Sequence, residues 1–365
     1  MIVHVGPSHL PLPALLGGAI ERRMMELAEA QARAGERVIV YSGGPEIGWG
    51  EYRGISIRYL SGSRPEFALR FVQDVGRRAA SVIHIHNRAE IAWLSKTAGL
   101  GPAVLSCDYH FEPWRRFAHL SKISKTVWRE CLLACDRIAP VSAYCREIFQ
   151  AYWGLPAGRF APIPNGVNCT RFHADAALRA QWRARLGFGD RQIILYLGRL
   201  CLQKGTDLLI AAYRLLKRPV SLVVAGPCER FGETQTGALV TQIREAGGTY
   251  LPPLDDADLP GLYNACDVFV MPTRELEMFG MAAMEAQACG KPVVASDHGG
   301  LRETVPETAG VRFRTGDAAD LAAHLEMLLG DPEWLAALGE GARANAARYD
   351  WPRIAQRCQE VYAAL

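Results

Sequence analysis

The sequence predicts an α/β protein built from two doubly wound parallel sheets, and three observations carry that prediction. The chain has 365 residues, about twice the length of a typical single domain. Short β-branched apolar runs alternate with helical patterns of about 10–18 residues in both halves, as expected of parallel strands covered on both faces. A breaker, Pro162-Ile163-Pro164-Asn165-Gly166-Val167-Asn168, separates one series of runs from the next.

In the first half the runs predict strands at 2–5, 37–41, 55–59, 82–85, 103–106, 137–141 and 160–163. In the second half they fall at 193–197, 220–225, 268–271 and 292–295, with a weaker run near 249–251. Helices are expected over 19–34, 176–186, 206–217 and 279–289, and over the tail 351–365 after the breaker Pro352. The two domains are therefore placed at 1–168 and 169–350.

Composition narrows the function classes. Hydrophobic residues make up 49% and charged residues 22%, which excludes a disordered chain. No run approaches the roughly 18 apolar residues that a bilayer span needs. The N-terminus lacks a basic stretch ahead of its apolar part, so a signal peptide is not expected, and a soluble, cytoplasmic protein is. The ten cysteines form no C-x-x-C pair and read as reduced, buried thiols. The nine histidines show no H-E-x-x-H spacing; His84 and His86, alternating on a strand, read as core residues, and no metal is expected. A net charge of +3 gives no case for a nucleic-acid partner. Residues 1–168 carry 20 basic and 14 acidic side chains against 21 and 24 in the remainder. The basic first half is either a solvated face or one that meets an anionic surface or substrate.

In open parallel sheets, ligands bind beyond the carboxyl ends of the strands, so the loops there are where chemistry is expected. Leu16-Gly17-Gly18-Ala19 precedes a helix, and its paired glycines let backbone amides approach a phosphate. It is not G-x-G-x-x-G, which counts against a dinucleotide cofactor. In Leu197-Gly198-Arg199-Leu200-Cys201-Leu202-Gln203-Lys204-Gly205, Arg199 and Lys204 stand at a strand-to-helix crossing, where two cations and free amides suit a diphosphate. The third loop leads from Pro272 through Glu277 into a helix of small apolar residues that carries Glu285. A buried glutamate needs a partner, and either a polyol with adjacent hydroxyls or an internal salt bridge supplies one. Asp256-Ala257-Asp258 reads as helix N-terminal charge. Over 114–129, Trp114, Phe117, Leu120, Ile123, Val127 and Trp128 alternate with Arg115, Lys122, Lys125 and Arg129. That pattern fits either an ordinary helix with a solvated basic side or peripheral contact with an anionic membrane.

EMFGMAAME followed by AQACGKPVVAS resembles the signature of retaining nucleotide-sugar glycosyltransferases of family four. GRLCLQKG is similar to that family's diphosphate loop and IPNGVN to its interdomain segment, while GGAIE, HIHNR and SCDYH fall where its first domain has comparable loops. The ordered match runs from about residue 1 to 350 and implies a GT-B fold, two Rossmann-like domains facing a central cleft. The final helix, about 351–365, would pack back on the first domain.

The resemblance implies a nucleotide-sugar donor, UDP preferred on family frequency, with no cofactor and no metal. Arg199 and Lys204 would hold the diphosphate, with Gly17 and Gly18 on the donor side, and Glu285 the ribose hydroxyls. Glu277 would hold the transferred sugar, assisted by backbone amides near Phe279, Gly280 and Met281. His110 would face that sugar, and Glu21, Asp108 and Tyr109 would lie on the acceptor side. The segment before Glu277 is one residue longer than the family pattern, so Glu275 competes for its role. Prolines 252 and 253 replace the glycine frequent in the base-binding region. The acceptor would be an envelope glycan intermediate or a small molecule. A GT-B nucleotide-sugar 2-epimerase and a catalytically silent sugar-nucleotide binder are the alternatives.

Overall fold

The computed structural model describes residues 1–6, 12, 19–107, 125–227, 236–275 and 277–365. The chain divides into two compact units, one of residues 1–166 with 351–365 and one of residues 167–350.

The first unit holds strands β1 (Ile2–Val5), β2 (Val38–Gly43), β3 (Gly48–Tyr52), β4 (Ile55–Leu60), β5 (Val82–His86), β6 (Ala103–Cys107) and β7 (Arg137–Pro140). They form one sheet in the order β3-β4-β2-β1-β5-β6-β7, parallel except for β3, which runs antiparallel at the edge. β1, β2, β5 and β6 are buried throughout because helices cover both faces. β3 is an addition to the sequence reading: its Gly-Trp-Gly-Glu-Tyr alternates between half-buried and exposed, too polar a run to read as a strand. The strand expected at 160–163 is reduced to a single bridge between Phe160 and Ile138: the Ala161 and Ile163 amides donate to the Ile138 and Pro140 carbonyls (2.8 and 3.1 Å), but Pro140 on β7 has no amide hydrogen to return.

The helix Trp351–Ala363 belongs to this unit although it lies at the far end of the chain. Its buried face, Trp351, Ile354, Ala355 and Cys358, joins Met24, Leu27 and Ala28 of the helix Ala19–Arg33 in one core. Trp351 Nε1 donates to Glu26, and a Cβ on Gly166 would lie 2.3 Å from the Trp351 ring, so that position must be glycine.

The second unit holds β8 (Gln192–Leu197), β9 (Val220–Ala225), β10 (Thr249–Leu251), β11 (Val268–Met271), β12 (Val293–Ser296) and β13 (Gly310–Phe313). All pairings are parallel, in the order β10-β9-β8-β11-β12-β13. Its core joins Ile194, Leu222, Val224, Val268, Val270 and Val294 of the sheet to Leu208, Leu209, Leu321, Leu325 and Leu328 of the helices. Side-chain caps define helix starts: Asp175 accepts from the Leu178 amide, Asp317 from that of Asp320, and Asp331 from that of Trp334. β8, β9 and β10 fill one side of the sheet in turn, and the chain then returns to place β11 on the other side of β8. The strand order therefore reverses between β8 and β11, where doubly wound sheets open a crevice for ligands.

Among the described cysteines, Cys169 is half-buried and the other eight are buried, and all are free thiols. The two strand histidines lie in the core as read, joined there by a third. His4, His84 and His86 are fully buried and stacked, with centroids 4.7–5.3 Å apart. One set of neutral tautomers satisfies every contact among them. His4 Nε2 donates to Gln31 Oε1 (2.7 Å), leaving His4 Nδ1 to accept from His86 Nε2 (3.0 Å). Gln31 donates to Tyr362 (3.2 Å), whose hydroxyl is 2.5 Å from His84 Nδ1, while His84 Nε2 donates to Ser106 (2.6 Å). Arg23 also donates to Ser106 (3.2 Å). Although one ring nitrogen from each histidine lies within 4.8 Å of the others, the His84 and His86 planes are only 7° apart. The stacked rings are joined to one another and to Gln31, Tyr362 and Ser106 by hydrogen bonds, with the buried His86 Nδ1 left without one.

Burial and the nearby Arg23 charge disfavour protonation of all three imidazoles, and His4 is pushed down to about 4. Each keeps its ordinary value near 6.5 when unfolded, so unfolding takes up protons as pH falls below that value. The contribution of these residues to stability is complete above pH 6.5 and falls away as pH drops through their lowered folded values, for His4 between pH 6.5 and about 4 and on the order of 3 kcal/mol. Calorimetry should show the transition of the first unit falling steeply from pH 7 to pH 5; a pH-independent transition would contradict neutral burial.

Candidate active site

The site is assembled at the reversal point in the second unit. β8 ends at Leu197, and its loop passes Arg199 and a short 3-10 turn, Leu202–Lys204, before the helix Thr206–Leu215. β11 ends at Met271, and its loop passes Glu277 before the helix Met281–Ala288. Lys204 Nζ and Glu277 Oε2 meet at 2.7 Å, with side chains 23% and 12% exposed. The pair is thus partly desolvated yet still open to solvent, where a charge pair retains its field without complete burial.

Three features bring the loops this close. Gly205 has φ +72°, and a Cβ there would lie 1.9 Å from the Pro272 carbonyl oxygen. Arg274 grips Asp207 with both terminal nitrogens (2.5 and 2.8 Å), while its amide donates to the Gln203 carbonyl (3.0 Å). Behind the second loop, the Gly300 amide donates to the Glu277 carbonyl (2.8 Å), and a Cβ on Gly300 would lie 2.1 Å from the Met278 oxygen. In the first loop, the Tyr196 hydroxyl donates to the Arg199 carbonyl (2.7 Å), and burial pushes that phenol's pKa upward.

Of the residues read from the sequence, Lys204 and Glu277 are brought into contact. Arg199 is half-buried on the same loop as Lys204. Phe279 and Gly280 are buried, and Gly280, at φ +92°, opens the helix Met281–Ala288 with no side-chain cap. The first amides of that helix therefore have no partner within it. Glu275 is exposed, while Glu277 is the carboxylate turned toward Lys204. Glu285 is 3% exposed and accepts from the Tyr263 hydroxyl at 2.8 Å. The Asp256-Ala257-Asp258 carboxylates do not converge: Asp256 pairs with Arg171 (3.6 Å) and Asp258 with Arg185 (3.7 Å).

In the first unit, Glu21 is buried in the first turn of the helix Ala19–Arg33. Gly17, Gly18, Asp108, Tyr109 and His110 lie outside the described residues, as do residues 114–124 of the basic amphipathic stretch. Arg274, Asp207 and Tyr263 were missed. The first two carry no motif, and their bond joins a loop to the first turn of a helix 67 residues away in the chain. Tyr263 reads as an ordinary apolar helix position.

Two doubly wound parallel sheets, with a cationic loop and an acidic loop meeting where the second reverses, define a two-unit Rossmann-like α/β protein. Comparison with known proteins makes the assignment specific. Residues 17–171 match the model of Glycosyltransferase Family 4, and residues 179–345 that of Glycosyl transferases group 1. A GDP-mannose-dependent alpha-(1-6)-phosphatidylinositol monomannoside mannosyltransferase of Mycolicibacterium smegmatis is 30% identical over 311 residues, 81% of this chain and 80% of that protein. The chain belongs to family four of the retaining GT-B glycosyltransferases.

A D-inositol 3-phosphate glycosyltransferase of Thermobispora bispora is 35% identical over 239 residues, 62% of this chain and 55% of that protein. The match spans little more than half the length of that relative. Among solved structures, sucrose-phosphate synthase of Thermosynechococcus elongatus shares the fold at TM-score 0.85 and 24% identity, covering 100% of this chain and 98% of that one. Anabaena HepE in complex with UDP does so at TM-score 0.82 and 22% identity, covering 100% of both chains.

The close approach at Gly205 generates a stability prediction. Gly205→Ala should lower the thermal midpoint of the second unit by the equivalent of more than about 1 kcal/mol, from positive-φ strain and the clash with Pro272. An unchanged melting curve would show that the two loops do not pack as described.

Proposed function

We propose that this protein is a retaining glycosyltransferase that moves a sugar from a nucleoside diphosphate sugar, UDP-sugar preferred, to an acceptor hydroxyl (EC 2.4.1.-). The observation that carries the proposal is the Lys204–Glu277 contact at the reversal point of the second sheet. It sets a cation for a diphosphate beside a carboxylate for a sugar.

Cleavage of the sugar–phosphate bond builds negative charge on the departing diphosphate. Lys204 and Arg199 are placed to offset that charge, and the open amides of the helix Met281–Ala288 add a further positive end. In this reading no metal is required. Glu277 accepts hydroxyls of the transferred sugar and positions its anomeric carbon. Glu285 accepts the ribose hydroxyls. A donor phosphate oxygen takes the acceptor proton on the face from which the diphosphate leaves, so configuration is retained without a nucleophilic side chain. His110 positions and polarises sugar hydroxyls, Gly17 and Gly18 approach the donor phosphates, and Glu21, Asp108 and Tyr109 contribute on the acceptor side.

The names of these two relatives, a D-inositol 3-phosphate glycosyltransferase and a phosphatidylinositol monomannoside mannosyltransferase, point to acceptors containing an inositol ring. A polyol of that kind, free or carried on a lipid, is the leading acceptor within a wider class of glycans, glycolipids and small natural products. The basic stretch 114–129 would suit the lipid form by resting on an anionic membrane surface; among the described residues no helix is long and apolar enough to cross a membrane.

Glu277→Ala separates the sugar role from the nucleotide role, because UDP carries no sugar. Turnover of the donor sugar should fall about tenfold or more, while the UDP dissociation constant stays within about threefold of wild type. Equal losses in both would remove Glu277 from the sugar position and favour Glu275.

A further inference from the structure

Glu285 has a neighbour whose position assigns it a task. Tyr263 lies on the helix Leu259–Ala265, is fully buried, and directs its hydroxyl at Glu285 Oε2. Its ring cannot swing: Phe172 packs edge-on at 5.8 Å and Phe269 at a tilt at 5.7 Å. The helix Met281–Ala288 that carries Glu285 is buried from Ala283 to Ala288. A carboxylate on such a helix can still rotate about its last bond, and its two oxygens offer about four acceptor positions. A hydroxyl held on an immobile ring selects among those rotations, since hydrogen bonds to an ionised oxygen are short and directional.

We propose that Tyr263 is a positioning residue of the nucleotide site, fixing the Glu285 carboxylate in the orientation that accepts from both vicinal hydroxyls of the donor's ribose. Tyr263 thereby sets the preference for ribonucleotides over 2′-deoxyribonucleotides. The phenol itself touches no ligand. This inference rests on the assignment of Glu285 to the ribose and adds the element that makes the assignment selective. A carboxylate free to rotate would meet one hydroxyl nearly as well as two, and the discrimination between the sugars would shrink.

The test is calorimetric titration of the full chain with UDP and with 2′-deoxy-UDP, read as the ratio of their dissociation constants. Wild type should favour UDP by about tenfold or more, the value of one hydrogen bond to a charged group. Tyr263→Phe keeps the ring and its packing and should narrow that ratio severalfold by weakening UDP, with 2′-deoxy-UDP nearly unchanged. A merely structural tyrosine would weaken both ligands alike and leave the ratio intact, which would overturn the proposal. A site-specific 4-aminophenylalanine at position 263, a weaker donor on the same ring, keeps a donor directed at Glu285 and serves if the phenylalanine variant does not fold. It should narrow the ratio by a smaller amount, and a wild-type ratio there would again overturn the proposal. Wild type that binds UDP tightly but does not distinguish the two nucleotides would place the error one step earlier, in the assignment of Glu285 to the ribose.

Discussion

A lysine and a glutamate 73 residues apart come to 2.7 Å because the second sheet reverses its strand order between β8 and β11. The chain fills one side of that sheet, returns, and starts the other side against the first strand, so two loops must open over one crevice. Everything else at the site serves that approach. Gly205 removes the Cβ that would strike Pro272, Arg274 locks onto Asp207 across the loops, and Gly300 lets the chain behind Glu277 pass Met278. The proposed chemistry follows from charge: a cation to meet a leaving diphosphate, a carboxylate to accept from sugar hydroxyls, and a helix that begins four residues after Glu277.

Like charges would push a glutamate away from a phosphate, and the pairing with Lys204 offsets that cost. With Glu277 only 12% exposed, removing the cation would leave a poorly hydrated, unpaired carboxylate beside the position proposed for the diphosphate. The two residues therefore act as a unit, and their substitutions will not be additive. The first unit deals with buried polarity differently. Its histidine stack is held neutral and closed by Gln31, Tyr362, Ser106 and Arg23, so it binds the helix Trp351–Ala363 to the sheet through hydrogen bonds rather than charge.

The class of fold was legible in the sequence because parallel strands covered on both faces must be continuously apolar, and those runs stand out. Gly-Trp-Gly-Glu-Tyr escaped because an edge strand needs no such run, and the stretch 160–163 forms only a bridge because its neighbour Pro140 on β7 has no amide hydrogen to give it. At the site, Lys204, Glu277 and Glu285 were legible because a charged group on a glycine-rich or small apolar background is costly and so conspicuous. Arg274, Asp207 and Tyr263 were not, since each acts through a partner distant in sequence. That Glu277 and not Glu275 turns toward Lys204 was also not legible, since the two differ by only two positions in one loop.

The central claim is that Lys204 anchors a nucleoside diphosphate, and ligand-induced thermal stabilisation tests it most directly. Wild type and Lys204→Ala would be melted with UDP, GDP and ADP. At about 100 times its dissociation constant, a ligand adds roughly 2.7 kcal/mol to native stability. The account predicts such a gain with UDP in wild type and its loss in Lys204→Ala at the same nucleotide concentration. Equal stabilisation of both proteins would contradict it, since the diphosphate would then be held elsewhere.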